Sequence, residues 1–155
     1  MVDGRSVPSD EHPLRIGLVA PYVNVYGDLT LRENLAFVAR ARSMSSPGAR
    51  IRELVEFVGL HTNLDQPIGT YSTGMIQRAR LAAALVHRPG VLLLDEPTLS
   101  LDESGRSLCG RIVADMRASG GIVMIASNAV SDITLAGRTI CVEDYAGLSA
   151  PQIAK

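Results

Sequence analysis

Val91-Leu92-Leu93-Leu94-Asp95-Glu96-Pro97 is the segment around which the architecture is organised. A short aliphatic run closed by a proline reads as a buried, parallel-type strand. Two carboxylates stand at its end. In α/β sheets, ligands gather at the carboxyl ends of strands. Burial of the strand would fix Asp95 where it can reach a Mg²⁺ on a nucleotide, while Glu96, pointing elsewhere, could polarise a water. Taken alone, the run is equally a strand entering a polar turn.

Further elements flank this run on both sides. Ile16-Gly17-Leu18-Val19 lies between Pro13 and Pro21 and reads as a buried strand over Arg15 to Val19. Thr30-Leu31-Arg32-Glu33 is a capping box, opening a helix that runs to about Arg42. Ser46-Pro47 predicts the next helix, with Ser as N-cap and Pro at its first position. Its apolar stripe is Ile51, Leu54, Val55 and Val58, and Gly59 suits the position just past its end. Ser72 begins a third helix, extending to about His87, where His87 and Arg88 complement the helix dipole. Ser104 to Ser119 is helical, Ile122 to Ala126 a strand, Val130 to Ala136 a short helix and Thr139 to Val142 a last strand. Residues 1 to 14, with Gly4, Pro8 and Pro13, read as a strand end, a turn and a loop. Strands alternating with helices predict an α/β domain with a largely parallel sheet.

A second chemical signal precedes the strand: Tyr71-Ser72-Thr73-Gly74-Met75-Ile76-Gln77-Arg78. A serine cap and a nearby glycine leave free amides at a helix start, an arrangement suited to phosphate. By itself this octapeptide is an ordinary capped helix. The arginines of the two preceding helices, Arg32, Arg40, Arg42, Arg50 and Arg52, read as a solvated basic face.

Composition narrows the choices. Lys and Arg total 15 against 16 Asp and Glu, in 155 residues with net charge -1. That balance, with two Phe, four Tyr and no Trp, argues against a nucleic-acid partner. The only lysine is Lys155, which rules out an interior Schiff-base or phosphate-binding lysine. Cys109 and Cys141 lack metal-type spacing and read as reduced thiols. The start at Met1 has neither a basic nor an apolar leader region, and no apolar run is long enough to span a membrane. The chain therefore reads as a soluble protein.

Together, Ser72-Thr73-Gly74-Met75-Ile76-Gln77-Arg78, Arg80-Leu81-Ala82-Ala83-Ala84-Leu85, Pro89, Leu92-Leu93-Leu94-Asp95-Glu96-Pro97-Thr98 and Leu101-Asp102 resemble the ATPase subunits of ABC transporters. Their order and spacing match the signature motif, the Walker B strand and the D-loop. Tyr26 to Leu35 looks like the segment after the Q-loop, and the resemblance covers about residues 2 to 145. It implies a P-loop NTPase sheet, here incomplete at its N-terminus, with a helical subdomain at about 30–88 inserted in the α/β core. It implies ATP and Mg²⁺ as cofactors, with Asp95 at the metal and Glu96 as general base or water-orienting carboxylate. Ser72, Thr73, Gly74 and Gln77 would contact nucleotide held by a second, head-to-tail ATPase subunit, and Asp102 would line that interface. The implied setting is cytoplasmic, at the inner face of a membrane, beside a permease. The Ser-Thr-Gly-Met signature resembles exporter types, including haem-exporter and ABC-2-like groups.

Three positions depart from the family. Asn128 stands where the switch histidine belongs; it can hydrogen-bond a phosphate oxygen but cannot carry a proton. No glutamine follows the first strand, where Ala20-Pro21-Tyr22-Val23-Asn24 offers only Asn24. The G-x-x-x-x-G-K-S/T loop is absent from the sequence. Val2 to Val7 resembles the strand that follows that loop, so the chain is expected to begin inside the domain. That expectation extends to open edges on strands such as Val91 to Leu94, and to poor solubility and no activity of the chain alone. A transporter ATPase is the first reading. The second is a non-catalytic module supplying the signature motif in trans to an intact ATPase.

Overall fold

The computed structural model describes residues 12–23 and 25–142. The readings made for residues 1–11 and for Asn24 lie outside them. In chain order the elements are α1 (His12–Arg15), β1 (Ile16–Val19), α2 (Leu31–Ala41), α3 (Gly48–Phe57), α4 (Thr73–Leu85), β2 (Val91–Asp95), α5 (Glu103–Ala118), β3 (Ile122–Ala126) and α6 (Val130–Ile133), with 3₁₀ turns at His61–Asn63 and Ile68–Thr70. Arg15 closes a helical turn rather than opening the strand.

Capping chemistry sets the helix starts. Thr30 Oγ1 accepts from the Glu33 amide at 3.2 Å, and Glu33 Oε2 accepts from the Thr30 amide at 2.8 Å, completing the expected capping box of α2. Ser72 caps α4 as read, its Oγ accepting from the Met75 amide at 3.2 Å. The start of α3 differs by one residue. Its first turn hangs from the Pro47 carbonyl, so Pro47 itself is the cap and Ser46 makes no cap bond. Proline serves there because a cap position has no need of its own amide hydrogen. Gly59 ends α3 at φ 73°, with the Gly59 amide on Glu56 O and the Leu60 amide on Val55 O. That is the left-handed closure the glycine predicts.

The sheet is parallel, in the order β1-β2-β3. Val19 lies beside Leu94, and Asp95 beside Ala126, so Ala20, Glu96 and Ser127 emerge at one end. Gly17 admits α4 against β1: a Cβ there would stand 2.4 Å from the Ala84 carbonyl oxygen. One buried cluster joins sheet and helices, including Val19, Leu35, Val55, Leu81, Leu92, Leu108 and Ile112.

Several expectations are corrected. The aliphatic run is buried on one face only. Leu92 and Leu94 are covered, while the row Leu18, Leu93 and Met124 is more open, and Met124 is 65 % exposed. Four aliphatics in a row therefore do not mark a strand covered on both faces here. β2 is paired on both sides, so the expected open edge is not at Val91 to Leu94; β1 and β3 are the outer strands of the described sheet. Thr139 to Val142 is not a strand. Ile140 and Val142 face solvent, and the run has no ladder partner among the described residues. His87 lies beyond α4, and its Nε2 sits 3.1 Å from the Ile16 carbonyl oxygen, tying that turn to β1 rather than capping a dipole. The arginine face is mixed. Arg50 is largely buried and donates to the Leu85 carbonyl oxygen at 3.1 Å, whereas Arg32 pairs in solvent with Asp65.

Candidate functional site

The site grows from the end of β2. Asp95 is the last residue of the strand, and its backbone is held by the ladder to Ala126. Glu96 then turns out of the sheet with φ 48°, a left-handed conformation uncommon for a residue with a side chain. Its amide still donates to Ala126 O at 2.9 Å, so the turn is anchored while the side chain is redirected. Both carboxylate oxygens are then engaged. Oε1 accepts from the Asn128 amide at 3.1 Å, and Oε2 accepts from Ser127 Oγ at 2.9 Å. Each carboxylate oxygen has a second lone pair, leaving room for a water hydrogen.

Around this end the chain closes a tight turn, Leu99 N donating to Glu96 O at 3.1 Å. The turn is gripped by α4. Gln77, which is buried, donates from Nε2 to the Pro97 carbonyl oxygen at 3.0 Å, and Gly74 lies where a Cβ would stand 3.2 Å from the Ser100 carbonyl oxygen. Arg78 of α4 reaches Val58 O at 3.1 Å, Asp102 Oδ1 at 3.1 Å and Ser104 Oγ at 3.3 Å. Asp102 caps α5, accepting from the Gly105 amide at 2.8 Å. That bond first, and Arg78 after it, hold its carboxyl below the usual range.

The predicted residues therefore fall into two groups. Asp95, Glu96 and Asn128 gather at the strand ends. Ser72, Thr73, Gly74 and Gln77 form the start of α4 against the 97–100 turn, with Asp102 just beyond. Gln77 uses its donor within the chain. Asn128 contributes its amide to Glu96, and its residue is exposed. Sequence reasoning missed Ser127 and Asp132, whose Oδ2 accepts from Ser127 Oγ at 2.8 Å. Their link to Glu96 depends on the β2–β3 register, which no local pattern encodes.

The donor set suits Mg²⁺ bound through nucleotide. Mg²⁺ takes one or two protein carboxylates and fills its shell with phosphate and water, and Asp95 offers one half-buried carboxylate beside Glu96. Among the described residues no cluster of three or more His, Cys, Asp or Glu could cage a metal by itself. The first-turn amides of α4 lack intrahelical acceptors, which suits a phosphate oxygen.

A parallel sheet with paired carboxylates at its carboxyl end and a capped glycine-bearing helix beside them defines an α/β nucleotide-binding domain. The family model described as ABC transporter matches residues 2–99. The chain belongs to that family, as an ATP-binding domain. It is 36% identical over 143 residues to the Nod factor export ATP-binding protein I of Burkholderia orbicola, covering 90% of this chain and 47% of that protein. It is 44% identical over 93 residues to the uncharacterized ABC transporter ATP-binding protein YxlF of Bacillus subtilis, covering 59% of this chain and 32% of that protein. A solved ATP-binding subunit of an ABC transporter superposes with TM-score 0.68 at 24% identity, over 74% of this chain and 49% of that one, and shares the fold. The chain thus spans about half the length of the Nod factor relative it matches.

Proposed function

We propose that the chain supplies the metal, water and trans-acting parts of an ATPase site in an ABC transporter, driving movement of a substrate through a membrane permease. The observation that carries this is the posture of Glu96. A left-handed backbone aims it off the strand, and Asn128 N and Ser127 Oγ hold both its oxygens beside Asp95. When bound, Mg²⁺ neutralises the charge developing on the phosphate oxygens. Asp95 would hold that ion. Glu96 orients a water, or takes its proton, on the free lone pairs of its carboxylate. Asn128 steadies Glu96 by its amide and leaves its side chain to meet a phosphate oxygen as a neutral donor. Ser72, Thr73 and Gly74, at the positive end of α4, would meet the γ-phosphate of nucleotide carried by a second, head-to-tail ATPase subunit. Gln77 and Asp102 lie on the same flank. The working location is the cytoplasmic face of the membrane. The names of the Nod factor relatives favour export as the direction.

The start of α4, capped by Ser72 and with Gly74 against the 97–100 turn, also fits a second reading. In that reading the chain lends its signature helix to an intact ATPase and takes no part in hydrolysis.

Sedimentation velocity of the chain with an ATPase subunit bearing that loop, with and without ATP and Mg²⁺, tests the shared core of both readings. Association that requires ATP and is lost in Ser72→Arg is expected. Association indifferent to ATP or to Ser72→Arg overturns it.

A further inference from the structure

A cavity of about 1260 Å³ opens at the end of the sheet opposite Glu96. Val91 and Ile122, the first residues of β2 and β3, line it. Its apolar surface comes from Leu54 and Phe57 of α3, Leu85 of α4, and Ile112 and Met116 of α5. Ile122 is 61 % exposed, so this surface is not closed over by the described chain. The backbone beneath is fixed: the Gly90 amide donates to Arg15 O at 3.0 Å, and Gly90 O accepts from the Ile122 amide at 2.9 Å. A Cβ at Gly90 would meet nothing within 4 Å. Small-molecule pockets hold about 300–1,000 Å³, so an organic ligand has room here.

The charges that line it are unevenly matched. Arg50 holds Glu53 Oε1 at 2.6 Å, and Glu56 Oε2 stands 3.0 Å from His61 Nδ1. Arg15 carries a contact of its own. Arg88 reaches the shared Glu53 carboxylate only at 3.7 Å, too long for a hydrogen bond, so its guanidinium donors stay open. Asp115, an exposed residue of α5, has no ion-pair partner among the described residues. It stands in the last turn of α5, where the helix dipole adds to its negative field. A simple cation would find Asp115 but also the under-paired Arg88, and a simple anion would meet the reverse. A molecule with opposite charges at its two ends suits both groups, and a methylene chain between them suits the apolar lining.

We propose that this cavity is a binding site for an aliphatic zwitterion, an ammonium and a carboxylate joined by an apolar chain. Asp115 takes the ammonium, Arg88 takes the carboxylate, and the α3–α5 lining takes the chain. The site lies at the other end of the sheet from Asp95 and Glu96, and it stands or falls without the ATPase reading of those residues.

The test is calorimetric titration of the full chain, at neutral pH and low salt, with ω-aminooctanoate, octylammonium and octanoate. Saturable binding of ω-aminooctanoate is expected, tighter than either singly charged probe by about two- to five-fold, the range of a solvent-exposed ion pair. Arg88→Gln should bring its affinity down to that of octylammonium, and Asp115→Asn to that of octanoate. Gly90→Leu, which fills the open floor, should abolish binding of all three with the far-UV spectrum unchanged. Location is read independently on the wild-type chain: ω-aminooctanoate should shift the ¹⁵N amide resonances of Gly90, Ser119 and Ile122 and leave those of Glu96 and Asn128 in place. No saturable binding overturns the proposal. So does an ω-aminooctanoate affinity no better than that of both singly charged probes, or indifferent to Arg88→Gln and Asp115→Asn. Amide shifts that miss the cavity overturn its location, whether or not Gly90→Leu folds.

Discussion

Replacing Gln77 by Leu probes the joint between α4 and the turn that carries Glu96. The side chain is buried, and its Nε2 donates to the Pro97 carbonyl oxygen at 3.0 Å. Leucine fills nearly the same volume, so packing is kept while the donor is lost. The other nearby group is Cys109 Sγ, 3.8 Å from the same oxygen and a weak donor. A buried carbonyl left unpaired costs about 1–3 kcal/mol. For a chain of this size each kcal/mol lowers Tm by about 2–4 °C, so a fall of roughly 2–12 °C is expected. Calorimetry of wild type and variant at matched pH and salt measures it. The Leu99 and Ser100 amides should also exchange faster, because the turn loses its outer anchor. A Tm equal to or above that of wild type would refute the reasoning. It would mean that the Pro97 carbonyl finds another donor, and that Gln77 is free to face a nucleotide.

Other outcomes follow from the same geometry. Gly17→Ala places a methyl 2.4 Å from the Ala84 carbonyl oxygen, so β1 or α4 must move; about 1–3 kcal/mol of stability should be lost by denaturant titration. Burial first, then the charge on Arg42, lowers the His87 pKa from its ordinary 6.5. The unfolded chain therefore binds a proton that the folded chain resists, and Tm should fall as pH drops below about 6.5. His87→Gln should flatten that part of the profile, leaving the carboxylate-driven losses at lower pH. The Cys109 thiol, buried and pushed up to about 11, should resist thiol reagents at pH 8 until the chain unfolds, while exposed Cys141 reacts at once.

What the sequence discloses is mostly local. Thr30 and Glu33, Ser72, Gly59 and the β2 run each carry their structure in a few adjacent residues, and each forms as read, within a residue or two at the ends. Expectations fail where the outcome depends on distant partners. The tetrad 139–142 has strand composition but meets no ladder. His87 sits where a dipole cap belongs, yet the Ile16 carbonyl 71 positions earlier claims its ring. The β2 aliphatics suggest two covered faces, but coverage depends on what packs on the sheet. The same division holds at the site. Asp95 and Glu96 announce themselves by adjacency at a strand end. Ser127 becomes a partner of Glu96, and Asp132 a partner of that serine, only once β3 is laid beside β2, and a serine and an aspartate five apart carry no mark of that.

In the proposed function, the end of β2 is the metal and water end of an ATPase site. The most direct measurement is steady-state ATP turnover by the assembled transporter carrying Glu96→Gln in this chain. Glutamine keeps an oxygen for the Asn128 amide and much of the shape, but it cannot take a proton or present a negative charge to water. Turnover at the site this chain completes should fall by about 10²–10⁴-fold, with nucleotide still bound. Turnover unchanged by Glu96→Gln would contradict the claim and leave the chain as a structural lender of its signature helix.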